Sequence, residues 1–400
     1  MPAPRHATRA HLVAPNGDPL DDGLVLWFPA PASFTGEDVV ELHLHGGRAI
    51  VEGVLDALGA LAGLRLAEPG EFTKRAFLNG KLDLTQAEAL ADAIDAETRA
   101  QARQALRQMG GALKELYDAW RERLVYALAH LEAVIDFPDE DLPPDVANKV
   151  WPEVEALRAE IAAHLSDNAR GERIREGLRI AIVGPPNAGK SSLLNWLAQR
   201  DAAIVSAEPG TTRDVIEVHL DLGGYAVTVI DTAGVRETTN AIEREGVRRA
   251  QAQAKDADLK IVLLDATTGA IPPEMKALID ADTIVVANKS DALTLDTRMI
   301  PAHHFVSVRT GAALDLLLAE LQTLVARRFE SDGVLPLTRP RHRRGLEDCV
   351  AALTEARAES APELAAENLR LAARALGRLT GRVEIDEILD VVFRDFCIGK

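Results

Sequence analysis

GPPNAGKS, Gly184 to Ser191, is the stretch that decides the fold. It satisfies the pattern GxxxxGK[ST] in full. It follows the apolar run Leu178 to Val183 and precedes the helix-like run Ser192 to Gln199. Strand, glycine-rich turn and helix in that order make a loop whose backbone N–H groups turn inward, towards the phosphates of a nucleotide. Lys190 is then placed to reach the β- and γ-phosphates, and the Ser191 hydroxyl to hold Mg²⁺. Read alone, the same letters could be a Gly/Pro turn followed by a lysine. The flanking strand and helix favour the phosphate loop.

The base is read downstream. Asn288, Lys289, Ser290 and Asp291 form NKSD, directly after the apolar run Thr283 to Ala287. A carboxylate there accepts two hydrogen bonds from guanine N1 and N2, a donor pair that adenine lacks. NKxD alone is a weak signal, since any strand can end in a polar turn. Its force comes from order: the loop, then DTAG (Asp231 to Gly234), then NKSD, then Ser307-Val308-Arg309 after another apolar run. Asp231 ends the run Val227 to Ile230, where an open α/β sheet places its ligand-facing groups. The candidate nucleotide contacts are therefore Asn187, Ala188, Gly189, Lys190, Ser191 and Ser192 in the loop. Asp231, Thr232, Ala233, Gly234, Asn288, Lys289, Asp291, Ser307, Val308 and Arg309 join them.

Composition bounds the rest. Four hundred residues suggest two or three domains, each able to bury a core, and 47% apolar residues is ordinary for a globular protein. No apolar run is long enough to span a membrane, and MPAPRHATRA has no hydrophobic signal core, so membrane insertion and export are not expected. Two cysteines, Cys349 and Cys397, make no disulfide framework and fit a reducing cytoplasm. A net charge of −17 makes a poor passive binder of nucleic acid, so RNA contact needs a local basic patch or a basic partner. The densest basic run, RPRHRR at Arg339 to Arg344, reads as a solvated helix start rather than an RNA site.

Along the chain, residues 1 to about 80 read as mixed α/β. Strand candidates lie at Asp22–Phe28 and Asp38–Leu44, and Ile50 to Leu61 has helical spacing. Residues 84 to 136 are rich in Ala, Leu, Gln, Glu and Arg and lack Pro, which predicts long amphipathic helix interrupted at Gly110-Gly111. FPDEDLPPD, Phe137 to Asp145, breaks it, and a further helix is predicted from about 153 to 174. Strands then alternate with helices, as a parallel doubly wound sheet requires, and after the Pro-containing link near Pro336 to Pro340 the chain is helical again. The expected architecture is multidomain, α/β plus α, with a Ras-like P-loop domain inserted into a helical bundle. Two separate small helical domains are the alternative.

The site chemistry has one unusual position. PGTTRD, Pro209 to Asp214, lies where such proteins keep a mobile loop whose threonine completes the Mg²⁺ shell, and Thr212 is the candidate with Thr211 beside it. The residue after DTAG, where Ras-type GTPases place a water-orienting glutamine, is Val235, so another group must orient the water. Glu237, Glu243 and Glu245 follow it, and Arg213 and Arg236 are surface charges in the simplest reading. The amide oxygen of Asn187 could coordinate a monovalent cation beside the phosphates, supplying the charge that an arginine finger supplies elsewhere.

These features together resemble the MnmE (TrmE) family of tRNA-modification GTPases, over nearly the whole chain. The N-terminal blocks SFTGEDVVELHLHGG (Ser33 to Gly47) and PGEFTKRAFLNGKLDLTQAEA (Pro69 to Ala89) carry the likeness. So do DFPDED (Asp136 to Asp141), the nucleotide motifs, and the ending FCIGK (Phe396 to Lys400), which matches a terminal CxGK signature. The resemblance implies a tetrahydrofolate-binding and dimerisation domain at 1–83, helical pieces at 84–177 and 331–400, and a G domain at 178–330. It implies a homodimer whose G domains approach each other in a potassium-dependent way. It further implies GTP hydrolysis and a flavin- and NADH-dependent partner, MnmG, in a heterotetramer. Together they would add a carboxymethylaminomethyl-type group to C5 of the wobble uridine of certain tRNAs, bound mainly through MnmG. A 5-formyl- or methylene-tetrahydrofolate would supply the carbon.

Carried over by position, Asn187, Ser206, Glu208 and Thr211 match the family's potassium site, and Ser191 and Thr212 its magnesium ligands. Glu243 matches the glutamate that positions the attacking water, with Lys190 as the second catalytic residue. Glu41, Lys81 and Lys400 match folate contacts, and Cys397 the CxGK cysteine. Family members begin with a further strand-rich segment bearing an ATPPG-like run and a folate-site arginine. This sequence starts after it, so the resemblance implies a late-assigned start or a truncation, with an N-terminal sheet short of strands. Three other readings remain at this point: a GTP-switched scaffold of the ribosome-assembly kind, a truncated form with GTPase activity only, and a P-loop ATPase.

Overall fold

The computed structural model describes residues 2–136, 145–166, 170–199, 216–231, 256–268, 270–293, 300–329 and 335–383. The elements run β1 (Thr8–Val13), β2 (Pro19–Phe28), β3 (Val39–His43), α1 (Arg48–Gly59), α2 (Glu71–Leu78), α3 (Leu84–Ile94), α4 (Arg99–Met109), α5 (Ala112–Asp136), α6 (Asp145–Leu165) and α7 (Arg170–Glu176). Then come β4 (Leu178–Val183), α8 (Lys190–Ala198), β5 (Ile216–Leu222), β6 (Tyr225–Asp231), β7 (Leu259–Asp265), α9 (Pro273–Lys276), β8 (Thr283–Asn288) and β9 (His304–Phe305). α10 (Leu314–Phe329), α11 (Pro340–Ala358) and α12 (Pro362–Thr380) follow. One compact unit is built from the described residues of Met1–Ile94, Leu106–Ile161 and Arg344–Lys400, the other from those of Asp95–Ala105 and Ala162–Arg343.

The first unit joins a three-stranded antiparallel sheet, order β1-β2-β3, to helices. The register pairs Thr8 with Val25 and Phe28 with Val39. The helices pack through sequence periodicity. Leu113, Tyr117, Trp120, Leu124, Ala127 and Leu131 of α5 are all buried, at alternating spacings of four and three. Ala365, Leu369, Ala372, Leu376 and Leu379 of α12 repeat that spacing. Such a seam lets the side chains of two helices interdigitate. Each buried leucine contributes about 1.5–3 kcal/mol relative to exposure. Arg123 to Glu160 (2.6 Å) ties α5 to α6, and Arg370 to Glu132 (2.8 Å) ties α12 to α5.

The helical stretch expected over residues 84 to 136 is interrupted at Gly110-Gly111 as expected and has a second break, at residues 95–98. Its cause is local. Thr98 and Gln101 form a capping box: Gln101 Oε1 accepts from the Thr98 N–H (3.0 Å), and Thr98 Oγ1 accepts from the Gln101 N–H (3.4 Å). Asp83 and Gln86 make the same reciprocal pair at the start of α3. The helix expected over 153–174 is two helices, α6 and α7.

The second unit holds a six-stranded sheet, order β5-β6-β4-β7-β8-β9, parallel except for β5 against β6. β4 and β8 are buried along their whole length except Arg179, as apolar runs covered on both faces must be. Alternation assigns the faces. Ile180 and Ile182 pack with Leu193 and Leu197 of α8 and Leu317 and Leu321 of α10, while Ala181 and Val183 pack with Val262, Leu264 and Val285. β4 lies between β6 and β7, so successive crossovers leave it in opposite directions. Its C-terminal end is the switch point where open α/β sheets bind ligands. Arg339 to Arg344 does begin a helix, α11, but it is not simply solvated. His342 is buried, and Arg343 donates to Glu172 (3.4 Å) and to the Leu165 carbonyl (2.9 Å).

Candidate functional site

The phosphate loop stands at that switch point, and its shape follows from two glycines. At Gly184 a β-carbon would lie 2.1 Å from the Leu263 carbonyl oxygen on β7, so only hydrogen fits there. Gly189 has φ +100°, and a β-carbon there would lie 2.3 Å from Asn288 Nδ2. Between them Asn187 takes the left-handed conformation at φ 62° with an exposed side chain. An asparagine tolerates that region better than most residues. Lys190 is buried, and its ammonium donates to the Gly184 (2.9 Å) and Pro185 (3.0 Å) carbonyls, which hold it across the loop. Ser191 and Ser192 follow in the first turn of α8.

The NKSD segment is wired into this loop. Asn288 ends β8, and its Nδ2 donates to the Ala188 carbonyl (2.8 Å) while its Oδ1 accepts from the Val308 N–H (3.0 Å). One buried amide thus joins the phosphate loop, NKSD and the Ser307–Arg309 loop. Lys289 has φ 65°, and its ammonium reaches Asp265 Oδ2 at 2.6 Å. Burial works to raise the Asp265 pKa, but hydrogen bonds from Lys289 and Thr267 outweigh it and hold the group below its ordinary value. Asp291 accepts from the buried Ser307 hydroxyl (2.5 Å) and from the Arg309 guanidinium (2.5 Å). Those two bonds keep it ionised, below the usual carboxylate value, against the opposing effect of burial. The result is an anionic acceptor beside a phosphate loop.

Sequence reasoning missed Asp265. The signal was available: it ends β7 as Asp231 ends β6, at the ligand edge of the sheet. The backbone of Asp231 pairs in register with Ile182 and Ile216. Thr232, Ala233, Gly234, Ser206, Glu208, Thr211, Thr212, Glu243, Cys397 and Lys400 lie outside the described residues.

In the other unit, Glu41 stands 3.4 Å from His43 Nε2 on β3, and Lys81 donates to the Pro31 carbonyl (3.0 Å). No bond joins Glu41 to Lys81 among the described contacts. Lys81 instead lines a cavity of about 410 Å³ with Asp83, Gln86, Lys114, Thr380 and Arg382. Burial pushes the Asp83 carboxyl up, although the Gln86 N–H and the Thr85 hydroxyl donate to it. Asp83 Oδ2 and Thr380 Oγ1 have no hydrogen-bond partner there.

A phosphate loop at the switch point of this sheet, with its lysine folded over it and NKSD and Ser307–Arg309 locked to it, defines a P-loop GTPase. Comparison with known proteins places it more narrowly. The MnmE helical domain pattern matches residues 84–397, and the N-terminus pattern of the GTP-binding protein TrmE matches residues 1–81. The tRNA modification GTPase MnmE of Parvibaculum lavamentivorans is 59% identical over 387 residues, covering 95% of this chain and 87% of that protein. That of Rhodospirillum rubrum is 55% identical over 417 aligned positions, covering 100% and 92%. Among solved structures, Aquifex aeolicus Era bound to GDP and AlF4⁻ is 25% identical, covers 46% of this chain and 69% of that one, and has a TM-score of 0.29. The chain belongs to the MnmE family of tRNA modification GTPases. Among its described residues, no helix is long and apolar enough to cross a membrane.

Proposed function

We propose that this GTPase acts in the cytoplasm on the wobble uridine of certain tRNAs, adding a carboxymethylaminomethyl-type group to C5 together with a flavin- and NADH-dependent MnmG partner. The observation that carries the nucleotide half is the convergence of three loops on the Asn288 amide and the Asp291 carboxylate. Membership of the family supports the tRNA half.

The chain's own residues divide the work. Asp291 accepts from the base, and the loop N–H groups with Lys190 hold the phosphates. Ser191 and Thr212 would hold Mg²⁺, which when bound neutralises charge on the phosphate oxygens. Asn187, Ser206, Glu208 and Thr211 would hold K⁺. The exposed Asn187 amide fits that role, and the cation would supply beside the phosphates the positive charge that an arginine finger supplies elsewhere. Glu243 positions the attacking water.

Lys81, Glu41 and Lys400 would hold a 5-formyl- or methylene-tetrahydrofolate. The cavity beside Lys81 is also lined by Lys114 and Arg382, cationic side chains that suit an anionic ligand. A homodimer forms through the N-terminal domains. Val51, Leu55 and Leu58 of α1, with Leu61, Leu64 and Leu66 after it, are exposed by 36–67% and form an apolar surface that a second copy would cover. The domain plan is 1–83, 84–177, 178–330 and 331–400, with the G domain inserted into the helical domain. At a net charge of −17, the main tRNA surface belongs to MnmG.

Mass spectrometry of tRNA from a strain lacking the gene tests the reading. Loss of the C5 group at the wobble position, restored by the cloned gene, is expected. Unchanged wobble uridines would instead favour a GTP-switched scaffold. GTP turnover in KCl against NaCl tests the cation, and equal rates would remove it from the site.

A further inference from the structure

Asp265 ends β7 and pairs in register with Asn288 on β8, the residue before Lys289. Its two carboxylate oxygens have separate partners. Oδ1 accepts from the Thr267 N–H (2.9 Å) and the Thr267 hydroxyl (2.7 Å), which fix the group in the turn after β7. Oδ2 accepts from the Lys289 ammonium (2.6 Å). Lys289 is fixed at its backbone too. Asn288 before it is tied to Ala188 and Val308, and Ser290 after it donates its N–H to the Val306 carbonyl (3.0 Å). Held at both ends, the lysine has lost much of its rotamer freedom before any nucleotide arrives. The Asp265 side chain is 17% exposed and that of Lys289 39%, so the anchor is sheltered while part of the lysine stays open to a ligand. With the ammonium already paired, the apolar stem is what Lys289 has left to offer.

We propose that Asp265 is a positioning residue for guanine binding: it holds the Lys289 ammonium so that the lysine stem lies ready as a surface for one face of the base. The inference rests on the reading of Asp291, two residues further on, as the guanine acceptor. Asp291 takes the donor edge of the ring, and an edge contact leaves the faces of the ring to be covered. Without Asp265 the lysine regains its freedom and must lose it again at each binding event, so the base is held more weakly. The effect reaches only ligands that carry a base, and it works only through Lys289.

The test is calorimetric binding of GDP to the full chain with Mg²⁺, together with competition of inorganic pyrophosphate against GDP. Wild type, Asp265→Asn, Lys289→Met and the double variant are compared. Asp265→Asn keeps an oxygen for Thr267 and turns an NH₂ donor towards the ammonium, while Lys289→Met keeps most of the stem and loses the ammonium. Each single variant is expected to weaken GDP binding about three- to tenfold, and the double variant by no more than that, because both changes break the same link. Pyrophosphate has no base, so its affinity should stay level in all of them. Unchanged GDP binding in Asp265→Asn overturns the proposal. So do losses that multiply in the double variant, since Asp265 would then act without Lys289, and so does a pyrophosphate loss equal to that of GDP. GDP binding that is indifferent to Asp291→Asn overturns the reading beneath the proposal, a result distinct from each of those failures.

Discussion

Asn288, at the end of β8, donates its side-chain amide to the carbonyl of Ala188, a hundred residues earlier in the phosphate loop, at 2.8 Å. The same side chain accepts from Val308, so the phosphate loop, NKSD and the Ser307–Arg309 loop share one buried anchor. Asn288→Ala strands a carbonyl and an N–H in a dry position. Leaving such groups unpaired costs about 1–3 kcal/mol each, so a loss of about 2–6 kcal/mol is expected with weaker GDP binding. Urea unfolding with and without GDP measures both. Asn288→Asp keeps the acceptor for Val308 and should fall between.

Gly184 and Leu263 set a second test. The clash at Gly184 is with backbone, which cannot swing aside as a side chain can. Gly184→Ala should therefore cost about 3 kcal/mol, the upper range for overpacking, and abolish nucleotide protection in thermal melts. Gly46, where a β-carbon meets nothing within 4 Å, is the control and should tolerate alanine. Equal melting of the two variants would mean that the loop is not pinned against β7.

The phosphate loop was legible because its chemistry is local. Glycine spacing, a preceding apolar run and a following helix all lie within some twenty letters. NKSD was legible for the same reason. The Lys289–Asp265 pair was not, since it joins the ends of two strands 24 residues apart and needs the strand order to be known. β1 escaped notice because an edge strand exposed along most of its length has no reason to alternate strictly, and TRAHLV does not. The break before α4 is hidden by helix-favouring composition, although Thr98 and Gln101 spell a capping box.

Cys349 gives a prediction tied to pH. It sits buried in α11, where desolvation pushes its thiol from the ordinary 9.0 to about 12. Between those values the native state holds a proton that the unfolded chain has released. Stability is thus unaffected below pH 9 and falls as pH rises beyond it, by about 1.4 kcal/mol per unit for this group. Replacing Cys349 by alanine should flatten that part of the curve at some cost in packing. In a Cys397→Ser background, native protein should resist thiol reagents at pH 8 and react only on unfolding. Rapid native labelling would show that Cys349 is accessible.

Asp291 and Ser307 carry the last prediction. Guanine presents donors at N1 and N2, and only an acceptor-only side chain satisfies both. In Asp291→Asn one oxygen becomes an NH₂ donor facing a donor, and two charge-assisted bonds are lost or weakened. GDP affinity should fall ~100-fold, corresponding to about 3 kcal/mol. Xanthine carries an oxygen where guanine carries its 2-amino group, so the new donor gains an acceptor. Xanthosine diphosphate should then bind the variant more tightly than GDP does, reversing the wild-type order. Competition between the two nucleotides on the same protein reads this directly. Wild-type preference for GDP in the variant would move guanine recognition away from Asp291.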